Sequence, residues 1–472
     1  MSPNRYVLAC SAAAIVAAAP AYASHPRDFA TVLPPLMQTG DLTPAEHLFL
    51  KDATSSGRNQ LLYLYEMASF YRMIGEVGKS IDLFAAADKV AHDYESRAVV
   101  SAGGVAGQAG AALTNDTVLP WEGACQDKVM ARTLNAMNYL MKQDLEGARV
   151  EVKKAEEYQV MERTRRQKAL AKAAQKDQNA AEADVPAPNP KFREMYSYAR
   201  NARNSYENAF TYYLSSNIYS AQGPAGLNDA LVDIKRAYEL APNAPAIQEA
   251  YLDLAAQAQD TAALEALETR LGIGRSYQPV DHSRTGTVVV VFEAGFVPPL
   301  SEVSINMPVS GKLFSLAFPI YNDFKFPQPA LRIQTPAGGQ TTSKVVDMRL
   351  LEVKALQERI PEIITRGTIG AAAKIEAQKK ASDNFGPFGG LIASIATKVV
   401  TSADLRSWLS LPAEVQSAHF FLPPGGNELT LSSYDWSEKI ALDVAPGSTT
   451  FLMVKATPGF RTIKTASIRG GF

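Results

Sequence analysis

Residues 61–87, LLYLYEMASFYRMIGEVGKSIDLFAAA, decide the fold of the amino-terminal half of the chain. A large, a small and an aromatic residue recur on a first helical stretch, and a small, an aromatic and a small residue on a second: Leu64, Ala68, Tyr71, Ser80, Phe84 and Ala87. Small residues let two antiparallel helices approach closely, and the aromatic rings fill the space between them. With Gly75 and Gly78 at the turn, the spacing predicts a helical hairpin.

The same pattern returns at Ala136, Tyr139, Ala148, Val152 and Ala155, so that Ala136 corresponds to Ala68. The offset is twice the period of about 34 residues that is typical of tetratricopeptide (TPR) repeats. A partial copy outside this register holds Ala230, Ile234, Ala237 and Pro242. Residues 24–272 are therefore predicted to form an all-α, TPR-like solenoid that closes with a helix pair at 246–272. A non-repeating helical bundle is the alternative.

Two features interrupt the helical half. A long charged helix is predicted over residues 143–182, and a proline-rich linker over 183–191. A tyrosine-rich helix follows, with Tyr196, Tyr198, Tyr206, Phe210, Tyr212, Tyr213 and Tyr219. These rings could line a groove for a peptide or a glycan, or form the buried face of the helix.

The run from Thr287 to Phe292 marks the change to a β-rich half, because a continuous β-branched run is typical of a buried strand. Further strands are predicted at 302–306, 312–319, 330–334, 417–422, 428–432, 439–444 and 449–456. Residues 273–472 are predicted to form a sandwich-like domain with a helical insertion at about 345–410. In that insertion Val346, Leu350, Val353 and Leu356 keep helical spacing, and Pro361 is expected to kink or end the helix. The fold class is thus α+β and multidomain.

The first 23 residues have the features of an export signal. Arg5 is followed by an apolar run and by the small-x-small sequence Ala21-Tyr22-Ala23. Cleavage there predicts a periplasmic protein. A membrane anchor is one alternative, although the run is shorter than the roughly 20 residues that a span needs. Lipidation at Cys10 is another, and it would make the chain an outer-membrane lipoprotein that contacts the membrane through that residue.

Charge and motifs exclude several function classes. The 47 basic and 48 acidic residues do not form the basic surface of a nucleic-acid-binding protein. Gly78-Lys79-Ser80 lacks the earlier glycine of a phosphate-binding loop, since Met73 stands there. The five histidines show no metal-ligand spacing, and Cys125 is expected to be a buried, inert thiol. We expect no cofactor and no metal. A hydrolase with two dispersed carboxylates stays open, because spacing in sequence does not test it.

Two segments resemble an uncharacterised family of bacterial envelope proteins, often lipoproteins, that join a TPR-like domain to a β-rich domain. One is LTNDTVLPW, residues 113–121, and the other is DLRSWLSLPAEVQ, residues 404–416. The resemblance implies the same two-part architecture and no established activity. It makes six residues candidate interaction or signature positions: Asn115, Asp116, Trp121, Asp404, Arg406 and Trp408.

The chemistry of these residues allows either a structural or a binding role. Asp404 could cap a short helix that begins at Leu405, and Arg406 could pair with Asp404 or Glu414 or stack on an aromatic ring. Trp121 and Trp408 are large apolar anchors. Asn115 and Asp116 are suited to bonding nearby backbone.

We therefore expect an exported scaffold or adaptor that binds envelope proteins through its helices, without catalysis. A binder of peptidoglycan or another glycan is the first alternative, and the carboxylate hydrolase is the second.

Overall fold

The computed structural model describes residues 46–101, 119–175, 190–274, 277–309, 312–336, 338–368 and 402–469. Helices occupy most of the chain before residue 272, and strands dominate after it. After a short π-helix at Glu46–Leu50, the helices are α1 Lys51–Thr54, α2 Gln60–Met73, α3 Val77–Ser101, α4 Cys125–Met141, α5 Leu145–Gln175, α6 Pro190–Ala199, α7 Ala209–Ser220, α8 Leu227–Leu240, α9 Pro245–Gln257, α10 Thr261–Leu271 and α11 at 348–368. This arrangement is α+β, as predicted.

The same type of turn joins the two helices in each of three pairs, α2–α3, α4–α5 and α9–α10. The residues at its left-handed position are Gly75, Gln143 and Gln259, with φ of 87°, 58° and 55°. Each donates its N–H to the carbonyl three residues back, and the following residue donates to the carbonyl five back. Such a left-handed residue ends a helix and satisfies its last carbonyls. The small positions of the sequence pattern are fully buried where the paired helices meet, as Ala68, Ser80, Ala87, Ala136, Ala148 and Ala155 show.

The strands form three sheets. Their bounds are β1 Gly286–Ala294, β2 Leu300–Val309, β3 Lys312–Tyr321, β4 Arg332–Thr335, β5 Gly338–Thr341, β6 Ser343–Asp347, β7 Glu414–Leu422, β8 Gly425–Ser433, β9 Trp436–Val444, β10 Ser448–Thr457 and β11 Phe460–Arg469. A five-stranded sheet has the order β11-β10-β1-β7-β6, a four-stranded sheet the order β5-β4-β8-β9, and β2 pairs with β3 alone. Strands β1 and β10 are parallel, and the other pairs are antiparallel.

Strand β1 lies at the centre of the five-stranded sheet and is buried along its whole length. Val289 and Val291 belong to the core shared with the helices. Val288, Val290 and Phe292 face the opposite way, into a second core with Leu429 and Leu431 of the four-stranded sheet. Burial on both faces is why the sequence reads as a continuous apolar run, and this prediction is confirmed. The first core is continuous from the helices into the five-stranded sheet.

Several local predictions are wrong. Val346 lies in strand β6, so α11 begins later than expected, and it continues through Pro361 to residue 368. Proline at that point removes one helical hydrogen bond without ending the helix. Residues 402–413 contain no helix, so the insertion predicted at 345–410 is helical only over 348–368 among the described residues. Strands β5, β6 and β11 were not predicted.

The tyrosine-rich segment forms two helices, α6 and α7, with an irregular stretch between them that contains Tyr206. Tyr212 and Tyr213 are at most 1% exposed, so they form the buried face rather than a groove. Helix α6 begins at Pro190, so the last two residues of the predicted linker are helical, and residues 183–189 lie outside the described residues. The described part of the chain contains no helix with the length and apolar character to cross a membrane.

Candidate functional site

The two resemblance segments meet in space at Arg406. Its guanidinium binds Asp404 through Nε and Nη2, at 2.8 and 2.7 Å. Its Nη1 donates to Asn59 Oδ1 at 2.9 Å and to the Leu119 carbonyl at 3.0 Å. Asn59 precedes α2, and Leu119 belongs to the first segment. One planar side chain with several donors therefore ties three distant parts of the chain together.

An aromatic cluster lies beside this network. The Trp408 ring stacks on Tyr65 of α2, with centroids 4.7 Å apart, and meets Phe84 of α3 edge-on at 6.4 Å. Trp121 packs edge-on against the same Tyr65 at 6.0 Å. Trp408 donates its indole N–H to Ser410 Oγ at 2.9 Å, which satisfies its one polar group. Tyr65 is thus held between the tryptophans of the two segments.

The contacts of residues 404–410 with α2 and α3 form a junction between the two halves of the chain, and Glu66 is its third component. Its carboxylate oxygens accept the backbone N–H groups of Leu409 at 2.5 Å and Ser410 at 3.0 Å. The residue is 1% exposed, and burial raises its pKa to about 7 although these hydrogen bonds oppose the rise. We did not anticipate this role from the sequence. The sequence does mark this position, because Glu66 and Arg72 are the two charged residues in the mostly apolar stretch of α2 from residue 61 to 73.

Four of the six candidate positions therefore act inside the molecule. Trp121, Arg406 and Trp408 are at most 8% exposed, and the Asp404 carboxylate is 12% exposed. The predicted pairing of Arg406 with Asp404 is confirmed, and the helix cap at Asp404 is wrong because no helix follows. Asn115, Asp116 and Cys10 lie outside the described residues. The segments join the helical half to the β half, and they leave little surface for a ligand.

A small recess, with a volume of about 10 Å³, opens on the helical side of this junction. Helices α2, α3, α4 and α5 line it with Tyr65, Phe84, Asp88, Ala91, Lys128, Ala131, Arg132 and Tyr158. Tyr65 and Phe84 are the rings that touch Trp408 from the other side. The recess and the junction therefore share a wall.

Ion pairs surround the recess. Arg132 binds Asp88 and, at 3.0 Å, Glu151 of α5. Lys128 binds Glu95 at 2.7 Å and lies 5.8 Å from the centre of the Tyr158 ring. The lining therefore combines aromatic faces with paired charges of both signs. Cys125, at the start of α4, is partly buried and burial raises its pKa to about 12, which keeps the thiol protonated and unreactive.

A pair of carboxyl groups does meet in this region, as the hydrolase alternative requires. Asp127 of α4 interacts directly with Glu352 of α11. Both are buried, at 4% and 9% exposure, and neither lines the recess. A substrate would have no path to the pair in this conformation, so the geometry does not support hydrolysis there.

The remaining sequence motifs form no binding or catalytic site among the described residues. Gly78-Lys79-Ser80 lies at the start of α3, where Ser80 Oγ donates to the Ala68 carbonyl at 2.7 Å. Across the described ranges, no three His, Cys, Asp or Glu side chains gather closely enough to hold a metal ion. Comparison with models of protein families, with curated proteins and with solved structures finds no match for this chain.

Proposed function

We propose that the protein is an exported scaffold or adaptor of the bacterial envelope, which binds a partner protein through its TPR-like helical half. The observation that carries this proposal is the shared turn of α2–α3, α4–α5 and α9–α10, with a left-handed residue at the same place in each. Repeated helix pairs of this kind form extended binding surfaces for other proteins.

The register of the last helices supports the TPR-like interpretation. Ala230 and Ile234 of α8 match Ser80 and Phe84 of α3 in the pattern, while Gln259 matches Gly75. This alignment places the equivalent of Gly75 at residue 225 in the pair α7–α8. Gln259, the equivalent residue in the pair α9–α10, follows it at the TPR spacing of about 34 residues. On this alignment the helix pairs fall into two groups, α2 to α5 and α7 to α10, with α6 between them.

The recess is the favoured contact point for the partner. It lies between helix pairs, and it joins aromatic rings to paired charges. Tyrosine and arginine are the side chains that dominate binding energy at protein interfaces. The export signal predicted at residues 1–23 supports the envelope as the compartment.

Affinity purification from envelope fractions after crosslinking in living cells tests the proposal. We expect a reproducible protein partner with the wild-type chain and a reduced yield with Lys128→Ala at the recess. Lys439→Ala is the matched control, since Lys439 of strand β9 binds Glu428 of strand β8 at 2.8 Å just as Lys128 binds Glu95 at 2.7 Å. The control should keep the partner. Finding no reproducible partner with the wild-type chain would contradict the proposed function.

A further inference from the structure

Three buried carboxyl groups gather where the helical half meets the rest of the molecule. Glu66 lies on α2, Asp127 on α4 and Glu352 on α11, at 1%, 4% and 9% exposure. Within the residues that the structure describes, none of the three forms an ion pair. Burying a charged carboxylate without a cation is costly, so the native state favours the protonated forms.

The neighbours of each group are mostly neutral. Glu66 faces the backbone N–H groups of residues 409 and 410 and the Ser410 side chain, and the negative charge of Asp127 raises its pKa further. Asp127 accepts the Ala124 N–H at 2.7 Å. Glu352 accepts from Tyr321 Oη of β3 at 3.2 Å.

The charged groups around the cluster only partly offset this burial. The Asp127 carboxyl feels the positive charges of Lys128 and Arg359, which oppose the rise of its pKa. The pKa of Asp127 is nevertheless raised to about 6, first by burial. Burial and then Asp127 itself raise the pKa of Glu352 well above its ordinary value.

We propose that this carboxyl cluster is a pH-responsive latch between the helices and the segment that carries Trp408. The latch is closed while the carboxyls hold their protons, and it opens as the solution becomes alkaline. Deprotonation places like charges at Asp127 and Glu352 and an unpaired charge at Glu66, and opening exposes all three to water. The latch does not depend on the proposed partner.

The direction of the effect follows from proton binding. Glu66 has a folded pKa of about 7 against an ordinary value of 4.5, so the closed form binds more protons than the open form between these values. The contribution of Glu66 to the stability of the closed form is therefore greatest below pH 4.5 and is lost as pH rises through 7. For Glu66 alone, the equilibrium constant for opening should rise roughly fifty- to hundredfold between pH 5 and 8.

Amide hydrogen exchange of the full chain, corrected for the intrinsic effect of pH on exchange, measures this opening. The N–H groups of Leu409 and Ser410 report it, because Glu66 is their acceptor. Val289 and Val290 of the central strand serve as the internal reference. Glu66→Gln and Glu352→Gln remove the titration at two separate points of the cluster. Glu362→Gln, an exposed residue of the same α11, is the matched control.

We expect the opening constant at residues 409 and 410 to rise at least tenfold from pH 5 to 8 in the wild type and in Glu362→Gln, and to rise less at the reference strand. Glu66→Gln or Glu352→Gln should reduce this dependence on pH severalfold. If either of these variants fails to fold, the other still gives the result. A wild-type constant that is unchanged between pH 5 and 8, or an unaltered slope in every folded cluster variant, would overturn the proposal.

Discussion

The indole ring of Trp408 stacks on the phenol ring of Tyr65, with the ring centroids 4.7 Å apart and the planes inclined by 27°. Tyr65 belongs to the first helix pair, and Trp408 belongs to the segment that leads into strand β7. The contact therefore joins the two halves of the molecule. It explains the residues of the second resemblance segment as an internal fastening, and it leaves the recess on the other side of Tyr65 as the candidate binding surface.

Replacing Trp408 by alanine should lower the free energy of unfolding by about 3–5 kcal/mol, because a nearly buried indole leaves a large cavity. Urea unfolding followed by circular dichroism measures this change. Trp436→Ala is the control, since that partly buried ring on β9 packs against the second core and lies beneath Arg461, and its loss should cost less than that of Trp408. Equal losses in the two variants would show that Trp408 has no special place in the junction.

Arg406→Lys should cost about 2–4 kcal/mol although it keeps the charge. A lysine ammonium reaches Asp404 but leaves the Asn59 and Leu119 oxygens without a donor, and each of these partly buried acceptors, left unpaired, costs about 1–2 kcal/mol. The same substitution at exposed Arg461, which pairs with Glu438, should cost less than about 1 kcal/mol. Chemical denaturation compares the two, and a loss at Arg406 no larger than at Arg461 would refute the network.

Lys455→Met should stabilise the protein at pH 7 by about 1–3 kcal/mol. Lys455 is 3% exposed on β10, and Glu293 beside it already pairs with Arg72 at 2.6 Å. Burial lowers the pKa of Lys455 to about 8 from 10.5, so the native state binds fewer protons than the unfolded state between these values.

The gain from Lys455→Met should therefore shrink as pH rises from 8 to 10.5, because the wild type becomes more stable over that range. Thermal unfolding at several pH values checks both the sign and the trend. Lys439→Met, on the exposed face of β9, should leave the midpoint unchanged. A destabilised Lys455→Met at pH 7 would mean that the buried ammonium is a net stabilising group.

Gln143→Gly should raise stability by about 0.5–1 kcal/mol, because glycine adopts the left-handed conformation at no steric cost. Gln143 is exposed with φ of 58°, and Gly75 occupies the equivalent turn of the first pair. Glu157→Gly, at an exposed position inside α5, should instead lose about 1 kcal/mol. Differential scanning calorimetry of both variants tests whether the shared turn is real, and a loss at Gln143 would argue that it is not.

Local patterns predicted most of the elements. The apolar run of β1 and the small residues of α2 and α3 are buried in the structure, and their local sequence patterns alone predict that burial. Strand β11 escaped prediction because it is an edge strand with polar residues such as Thr462, Lys464 and Thr465, so its pairing with β10 decides its structure. The expected cap at Asp404 failed for a related reason: its carboxylate binds the Arg406 guanidinium, and no helix follows it.

The site itself was beyond local prediction. Six positions were singled out by resemblance, and the structure brings Trp121, Asp404, Arg406 and Trp408 together through Tyr65 and Asn59, which no motif had marked. The meeting of Asp127 with Glu352 depends on how α11 packs against α4. Contacts between residues so far apart in the chain follow from the packing of whole elements, which a single sequence does not show.

The central claim, that the helical half binds an envelope protein, is tested most directly by photo-crosslinking in living cells. A photoreactive phenylalanine analogue would replace Tyr158, which lines the recess, or Phe326, which is 64% exposed in the β half. Both positions accept an aromatic ring without disturbing a fully buried site. We predict a discrete protein adduct from position 158 and none from 326. Absence of any protein adduct from position 158, in cells that contain the folded and exported chain, would contradict the account.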